Sequence, residues 1–464
     1  MKRGKVRLLG LIGALVIVSL SLLGAEVPVD PSLARVVPWL DLLHGDSGQR
    51  EKALTKIEAQ WQPDSPGMAI ETIRFLGAGP ERQALYTMLR AKTGFVEAVS
   101  WQDWVRWQWD QSTSSTETSL RLKTEIHAAI DPLFRRYFEP GQAHEIRYDE
   151  IVWGGVRQNG IPPLRDPIMV EASEAAYLEG DNIVFGIIVG GKAYAYPQRI
   201  LAWHEMFVTT LDGIPLVGVY CTLCGSVILY ETQLEGTEYQ LGTSGFLYRS
   251  NKLMFDETTH SLWSTLRGEP VVGPLVGKGI QLKQRSVVTT TWKLWLERYP
   301  KTLVLSDVTG HRRDYSEGAA YREYFATDRL MFPVPFDDQR LRNKAEILGL
   351  RLGPNQRPLA ISIDSLEPMN FFEGQFNDIS IIVLRDQWGI IRAYQTESAL
   401  GYGDWDGGGR YIDSRGQSWR LEESGLTNKL GKRLPRIPSH RAFWFGWHAA
   451  YPETTLISGE TVGP

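Results

Sequence analysis

Short apolar runs separated by turn residues dominate the chain from about residue 145 onward. Ile183–Val189 and Lys192–Tyr196 are separated only by Gly190-Gly191, and Asp212-Gly213 separates the next two apolar runs. Runs of this length, rich in Val, Ile and Tyr, are typical of strands, and a two-residue Gly-Gly or Asp-Gly break is typical of a hairpin turn. The pattern predicts a β-rich body of antiparallel hairpins with short helices between them.

The region before residue 145 has a different period. Leu54, Ile57 and Trp61 recur at helical spacing, and Ser100 stands where a helix N-cap would precede Trp101 and Trp104. Apolar residues three and four positions apart form one face of a helix. We therefore predict an all-α N-terminal domain over residues 26–144.

The β-rich body contains an internal repeat. Trp292, Trp295 and Tyr299-Pro300 recur with the same spacing as Trp444, Trp447 and Tyr451-Pro452. A weaker match begins at Gly186 in one copy and at Gly349 in the other. Two blocks in the same order favour duplication. The sequence thus predicts an α+β fold with two related repeats, residues 145–330 and 331–464.

The repeat places the cysteines in one copy only. Extending the second block without a gap puts Leu384 opposite Cys221 and Gln387 opposite Cys224. The second repeat is therefore expected to have the same fold without the two sulfurs. If the fold does not need the cysteines, a purely structural role for a disulfide is disfavoured.

The N-terminus has the form of an export signal. Lys2, Arg3, Lys5 and Arg7 precede the uncharged, mostly apolar run Leu8–Gly24. That run is at the short limit for a bilayer span of about 17–25 residues. We interpret residues 1–25 as a signal-anchor in preference to a cleaved signal peptide, with residues 8–24 anchored in the membrane. The basic flank then stays in the cytoplasm and the body is extracytoplasmic, either periplasmic or at the cell surface.

Charge and composition narrow the classes of partner. The formal net charge is −4, so the chain lacks the basic footprint of a nucleic-acid-binding protein. The 16 tryptophans fit core packing best, although Trp-rich surfaces would also suit a non-catalytic binding or assembly module.

The only two cysteines, Cys221 and Cys224, lie between two apolar runs. With two residues between them, both sulfurs can face one point as a disulfide, a dithiol or half of a metal site. Zinc requires four ligands, whereas two thiolates with His204, His260 or Met254 form a soft set suited to copper. Metal binding, thiol–disulfide redox chemistry and a structural disulfide all remain open, and the first two are the preferred functions.

A hydrolase is the enzymatic alternative. Glu205 and His204 are adjacent, and Asp256 lies in a polar and aromatic stretch further on. Two carboxylates flanking a cleft are the acid–base pair of many hydrolases, although the sequence gives no carboxylate separation. Whether the protein is an enzyme is left open by these residues.

Several motifs resemble one known family. They are WGGVRQNGIPPL (153–164), KAYAYPQRILAWHEM (192–206), YCTLCGSVILYE (220–231), TSGFLYRSNKLMFDETTHSLW (243–263) and FWFGWHAAYPETTLIS (443–458). Over roughly residues 145–464 the chain resembles the prokaryotic domain of unknown function 3179. The resemblance implies an exported or membrane-anchored protein, and it implies no activity.

The N-terminal pattern makes a testable prediction about topology. Because basic residues flank only the N-terminal side of Leu8–Gly24, residues beyond about 30 should lie outside the cytoplasmic membrane. Alkaline phosphatase fused after residue 40 should be active. An inactive fusion, together with an active cytoplasmic reporter at the same site, would contradict this topology.

Overall fold

The computed structural model describes residues 31–111, 115–336, 338–353, 356–366, 370–376 and 378–459. The chain forms two compact units, residues 1–141 and 142–464. The predicted signal-anchor at residues 1–25 lies outside the described residues. Among the residues that are described, no helix has both the length and the apolar character needed to span a bilayer.

The first unit is helical in its described residues, as predicted. Its helices are α1 Pro31–His44, α2 Ser47–Ala59, α3 Ser65–Phe75, α4 Pro80–Thr93, α5 Trp101–Asp110, α6 Glu117–Ile130 and α7 Arg135–Phe138. Ser100 is the N-cap of α5: its side chain accepts from Asp103 N, and the Asp103 side chain accepts from Ser100 N. Trp104 is fully buried on the inner face of that helix. The capping box and the apolar spacing therefore fix where α5 begins and which side faces the core.

The second unit is the β-rich body, and the fold is α+β. Its first part contains β1 Ile151–Trp153, β2 Leu164–Arg165, β3 Met169–Glu171, β4 Ile183–Val189, β5 Lys192–Pro197, α8 Gln198–His204, β6 Met206–Leu211, β7 Ile214–Cys221, β8 Ser226–Glu231, β9 Gln233–Leu234, β10 Thr237–Glu238, β11 Leu241–Tyr248, β12 Asn251–Asp256, β13 Leu262–Ser264, β14 Glu269–Val272, β15 Lys283–Arg285, β16 Val288–Thr291, α9 Trp292–Arg298, β17 Leu303–Leu305 and α10 Arg322–Phe325.

The second part of the body repeats this plan. It contains β18 Glu346–Leu350, β19 Leu359–Ser362, α11 Ile363–Leu366, β20 Phe371–Phe376, β21 Ile379–Arg385, β22 Ile391–Thr396, β23 Asp404–Trp405, β24 Arg410–Ile412, β25 Ser418–Glu422, β26 Gly425–Asn428, β27 Arg433–Ile437, β28 Ser439–Phe443, α12 Trp444–Ala450 and β29 Thr455–Ile457.

Both predicted hairpins are present. Val189 pairs with Lys192 across Gly190-Gly191, and β6 pairs with β7 across Asp212-Gly213. All four turn residues have positive φ, as the two central positions of a type I′ turn require. The turn chemistry in the sequence therefore sets the register of both hairpins.

The two repeats share one sheet topology. In the first, the strand order is β16-β4-β5-β17, with β3 added at the edge; in the second, it is β28-β18-β19-β29. Each sheet is centred on a hairpin, β4–β5 in the first repeat and β18–β19 in the second. The strand on one side of the hairpin, β16 or β28, pairs with it antiparallel, and the strand on the other side, β17 or β29, pairs with it in parallel. The body is thus built from two related repeats.

A buried tryptophan closes the same contact in each repeat. Trp295 covers Gly186 and Trp447 covers Gly349, so closely that a Cβ on either glycine would meet the indole ring at 2.3 Å or 2.4 Å. Each indole Nε1 donates to a threonine hydroxyl at 2.9 Å, Thr302 in one repeat and Thr454 in the other. The duplicated Trp spacing therefore reflects one packing unit used twice.

The strand registers correct the residue correspondence between the repeats. Met206 pairs with Val219 and Phe371 pairs with Leu384, so Leu384 occupies the place of Val219. Asp386, and not Leu384, then stands where the first repeat has Cys221. The ungapped comparison fails because the loop between β18 and β19 is longer than the Gly190-Gly191 turn.

A carboxylate closes the hairpin of the second repeat. Asp386 Oδ1 accepts from the backbone of Trp388 at 3.0 Å and of Ile390 at 2.9 Å, and Oδ2 accepts from Arg392 Nη1 at 2.5 Å. Both charged side chains are only 1% exposed. The framework therefore forms this turn without sulfur, by hydrogen bonds to a buried aspartate.

We predict that Asp386→Ala strongly destabilises the protein. Removing one partner of a buried ion pair leaves the other charge uncompensated, which costs about 3–5 kcal/mol. Denaturant unfolding followed by tryptophan fluorescence should show this loss. The matched control is Asp406→Ala, because Asp406 accepts from two turn amides in the same way but is exposed. Equal effects of the two variants would contradict a special role for the buried carboxylate.

Candidate functional site at Cys221 and Cys224

The two cysteines form a disulfide at the tip of the β7–β8 hairpin. Cys221 ends β7 and pairs with Ser226, the first residue of β8, and the Cα atoms of the two cysteines are 5.3 Å apart. Gly225 takes the positive φ expected of it, at 58°. Cys221 is 3% exposed and Cys224 is 1% exposed. The sulfurs therefore share one buried point, and a disulfide is the form in which they are present.

The backbone of this loop is held by hydrogen bonds that do not involve sulfur. Cys224 N donates to Cys221 O at 3.1 Å, and Phe443 N donates to Cys224 O at 2.7 Å. The Tyr324 hydroxyl donates to Leu223 O at 2.8 Å. These bonds fix both sides of the loop, so its conformation does not depend on the S–S bond alone.

A buried ion pair is attached to the same loop. Glu205 accepts from Lys252 Nζ at 2.8 Å, from the Thr222 hydroxyl at 3.1 Å and from the Tyr321 hydroxyl at 3.4 Å. Thr222 lies between the two cysteines, so the carboxylate is linked directly to the loop. Glu205 is 8% exposed and Lys252 is 5% exposed.

Burial shifts the pKa of two groups that contact Glu205. Desolvation lowers the pKa of Lys252, and the neighbouring Glu205 carboxylate partly opposes that effect. Burial also raises the pKa of Tyr321 to about 12, with Glu205 adding to the rise. Buried charges of this kind are costly for stability and are concentrated at functional sites.

A tight turn with unfavourable backbone geometry contacts the disulfide. Arg249 and Ser250 connect β11 to β12, and both have positive φ, 48° and 62°. Non-glycine residues pay about 1–2 kcal/mol each for this conformation. The carbonyl oxygen of Ser250 lies 3.4 Å from Cys224 Sγ, and the Ser250 hydroxyl donates to Pro333 O at 3.0 Å. The turn thus places a hydrogen-bond acceptor against one of the sulfurs.

The segment that follows β17 covers the disulfide. We call residues 306–336 the covering segment; α10 is its only helix or strand among the described residues. Tyr324 packs in the same apolar cluster as both cysteines, with Tyr321 and Phe332 at its edge. From the other side, Phe443 covers Gly225, and a Cβ on Gly446 would lie 3.0 Å from Cys224 Cβ. Both sulfurs are therefore enclosed by groups distant in sequence.

The predicted histidine and methionine ligands have other surroundings. His204 Nδ1 lies 2.9 Å from Pro162 O, and its Nε2 lies 2.5 Å from the Tyr315 hydroxyl. Met254 is fully buried in a separate core cluster with Trp263, and the His260 ring stacks on Phe255. Within the described residues, no group of three or more His, Cys, Asp or Glu side chains is arranged to hold a metal ion.

Asp256 has the environment of a turn residue. Its carboxylate accepts from the backbone of Thr258, Thr259 and Ser261, from the Thr259 hydroxyl, and from Trp263 Nε1, all within 3.1 Å. It shares no hydrogen-bond partner with Glu205. The structure therefore gives the two carboxylates proposed for a hydrolase separate and saturated sets of partners.

Sequence reasoning missed four residues of the site: Thr222, Lys252, Tyr321 and Tyr324. Thr222 had a signal, since it lies inside the Cys-x-x-Cys motif. Lys252 had a weaker one, because a lysine between apolar strand residues needs a buried partner. The two tyrosines arrive from the covering segment, and no local pattern marks them.

Comparison with known proteins gives one match. A family model described as "Protein of unknown function (DUF3179)" matches residues 158–454, which is more than half of the chain. No curated protein and no solved structure matches.

We predict that Glu205→Gln destabilises the protein near neutral pH by about 3–5 kcal/mol, because it leaves the Lys252 charge buried and unpaired. Losing the carboxylate also lowers the pKa of Lys252 further below its unfolded value. The folded state then releases this proton first as pH rises, so the loss should shrink toward alkaline pH. Urea unfolding across that pH range measures both effects.

Two further variants control this prediction. Glu205→Gln combined with Lys252→Met should recover most of the loss, since the unpaired charge is gone. Glu422→Gln removes the partner of the exposed Arg420 and should cost no more than about 1 kcal/mol. A Glu205→Gln loss that does not depend on pH or on Lys252 would contradict the ion-pair interpretation.

Proposed function

Because this chain belongs to the protein family of unknown function DUF3179, whose description assigns no activity, we propose a function from the site itself. The protein is an extracytoplasmic thiol–disulfide redox protein, and Cys221–Cys224 is its two-electron couple. Family membership assigns the chain no chemistry. The arguments for a redox function come from the cysteine loop.

The observation that carries the proposal is the sulfur-independent support of the loop. Hydrogen bonds from Phe443 N and the Tyr324 hydroxyl hold the carbonyl groups of Cys224 and Leu223. After reduction, the Cys224 thiol has an acceptor in place, the Ser250 carbonyl oxygen. A loop that keeps its shape in both states allows the bond to open and close reversibly.

The second repeat argues against a purely structural role. It closes the corresponding hairpin with Asp386 and needs no sulfur. Cross-linking residues three positions apart also closes a very short loop, and chain entropy gives such a bond only about 2 kcal/mol. Stability alone is therefore a weak reason to place the only two cysteines here.

The proposed reaction is exchange with an extracytoplasmic dithiol. One thiolate of that dithiol attacks a sulfur of the pair, the S–S bond breaks, and a mixed disulfide forms. The second thiol of the partner then attacks the partner's own sulfur in the mixed disulfide. The partner leaves with an internal disulfide, and the second cysteine of this protein is released as a thiol. Two electrons and two protons pass to this protein, which is left with the Cys221 and Cys224 thiols.

Exchange requires access to buried sulfurs. Reactive cysteines are normally partly exposed, whereas these are buried, with Tyr324 and Phe332 packed in their cluster and Phe443 against the neighbouring Gly225. The covering segment has little regular structure of its own, and such segments open at low free-energy cost. We therefore assign it the role of the element that moves aside for the reductant. This opening breaks the Tyr324–Leu223 hydrogen bond transiently and leaves the bond from Phe443 N to Cys224 O in place.

Two alternatives fit the site less well. Copper held by two thiolates would need a third donor, and none of the described His, Asp or Glu side chains completes such a group with the cysteines. A hydrolase would need free carboxylates, but Glu205 is bound to Lys252 and Asp256 caps a turn.

An extracytoplasmic location is part of the proposal. The basic flank and apolar run at residues 2–24 support export and membrane attachment. Oxidising compartments also preserve disulfides that the cytosol would reduce.

We predict that purified full-length protein exchanges its disulfide reversibly in dithiothreitol redox buffers. Trapped thiols counted by mass spectrometry should follow a single two-electron transition above about −300 mV, the range below which structural disulfides lie. Circular dichroism should be the same in both states, because the loop is held without the S–S bond.

The Cys221→Ser/Cys224→Ser variant is the matched control. It should fold, lose roughly 2 kcal/mol at most, and trap no thiol at any potential. Unfolding on reduction, or a bond that stays oxidised down to −300 mV or below, would make the disulfide structural and overturn the proposal.

A further inference from the structure

A second site lies in a cleft that shares no lining residue with the cysteine loop. The cleft has a volume of about 480 Å³ and lies between the β13–β14 region of the first repeat and the β18–β19 hairpin of the second. Small-molecule sites typically occupy about 300–1,000 Å³ and form where two structural units meet. From its charges and walls, we propose that this cleft binds a small zwitterion of the α-amino-acid class with an apolar side chain.

The floor of the cleft is preformed. Arg351 Nη1 donates to Arg267 O at 2.6 Å, and its Nη2 lies 3.3 Å from Gln284 Oε1. The buried Tyr451 hydroxyl donates to Leu266 O at 3.0 Å. Arg351 and Tyr451 of the second repeat therefore hold the carbonyl groups of residues 266 and 267 in the first. The backbone that carries the Arg267 side chain is fixed before a ligand binds.

Arg267 supplies an unused cation. Its guanidinium is half-buried and lines the cleft, yet it makes no hydrogen bond or ion pair with any other residue in the described part of the chain. A planar guanidinium presents paired donors that match a carboxylate. We therefore assign Arg267 to the carboxylate of the ligand.

The rim supplies the opposite charge. Glu145 and Glu453 line the cleft and are exposed, and neither carboxylate is paired with another described residue. Glu269 also lines it, with Gln281 Nε2 donating to its Oε1. A ligand that bears only a carboxylate would meet these negative charges, whereas a ligand with an added ammonium group would be attracted by them.

The walls set the third requirement. Pro270, Leu275, Ile280 and Pro358 also line the cleft. An apolar side chain would be removed from water against them, which favours binding in proportion to the area buried. The Arg267 guanidinium, which has no partner among the described residues, the acidic rim and the apolar wall together match the carboxylate, the ammonium group and the side chain of an amino acid such as leucine.

Calorimetric titration of the full-length protein tests this assignment with three related probes. L-leucine should bind saturably. N-acetyl-L-leucine, which lacks the ammonium group, and L-leucine amide, which lacks the carboxylate, should each bind at least tenfold more weakly. Leucine binding should be the same in the oxidised and reduced protein, so this test is independent of the redox proposal.

Variants separate the two charged contacts. Arg267→Gln should weaken leucine binding at least tenfold, and Glu145→Gln combined with Glu453→Gln should narrow the difference between leucine and its N-acetyl form. Arg410→Gln, which changes an exposed arginine outside the cleft, should leave binding unchanged. The proposal is overturned if leucine, valine and phenylalanine all fail to bind, if N-acetyl-leucine binds as tightly as leucine, or if Arg267→Gln has no effect.

Discussion

Each repeat of the β-rich body holds the hairpin tip of the other. The Cys221–Gly225 loop of the first repeat is bound at Phe443, where β28 passes into α12 of the second repeat. The Asp386–Ile390 loop of the second repeat is bound in return: Thr290, beside the start of α9, donates to Trp388 O at 3.2 Å, and Arg298 lies over the Trp388 ring. This reciprocal packing ties the repeats together through their tips. Cys221 and Cys224 in one tip and Asp386 and Trp388 in the other are buried, so the polar groups of these residues must be satisfied inside the protein.

The two tips meet this requirement with different chemistry. The second repeat uses a buried Asp386–Arg392 pair, which is costly to desolvate but bonds the turn amides directly. The first repeat uses two sulfurs, which need few hydrogen bonds when buried, and leaves the turn to be held by Tyr324, Phe443 and Glu205 through Thr222. The hydrogen bonds that support the turn are therefore separate from the sulfurs, and the proposed redox role rests on this separation. The buried Glu205–Lys252 pair and the positive φ angles of Arg249 and Ser250 both lower the stability of the protein near this loop.

Local patterns predicted the fold well. The Gly-Gly and Asp-Gly turns, the Ser100 cap and the duplicated tryptophans each act over a few residues, so the sequence shows them directly. The correspondence between repeats was wrong around Cys221, because a longer hairpin loop before β19 shifts the register without leaving a mark in an ungapped comparison. The site was only partly predictable. The cysteine pair and Gly225 were visible, but Lys252, Tyr321 and Tyr324 come from other strands and from the covering segment, and only tertiary packing brings them to the loop.

Amide hydrogen exchange at the cysteine loop tests the central claim most directly. The Cys224 amide donates to Cys221 O, and the Phe443 amide donates to Cys224 O, so both report on whether the loop persists. If its hydrogen bonds hold the loop independently of sulfur, the protection of both amides should change by less than about tenfold when the full-length protein is reduced. Protection that falls to the level of exposed backbone on reduction, while β7 and β8 stay protected, would show that the S–S bond itself holds the loop and would contradict the account.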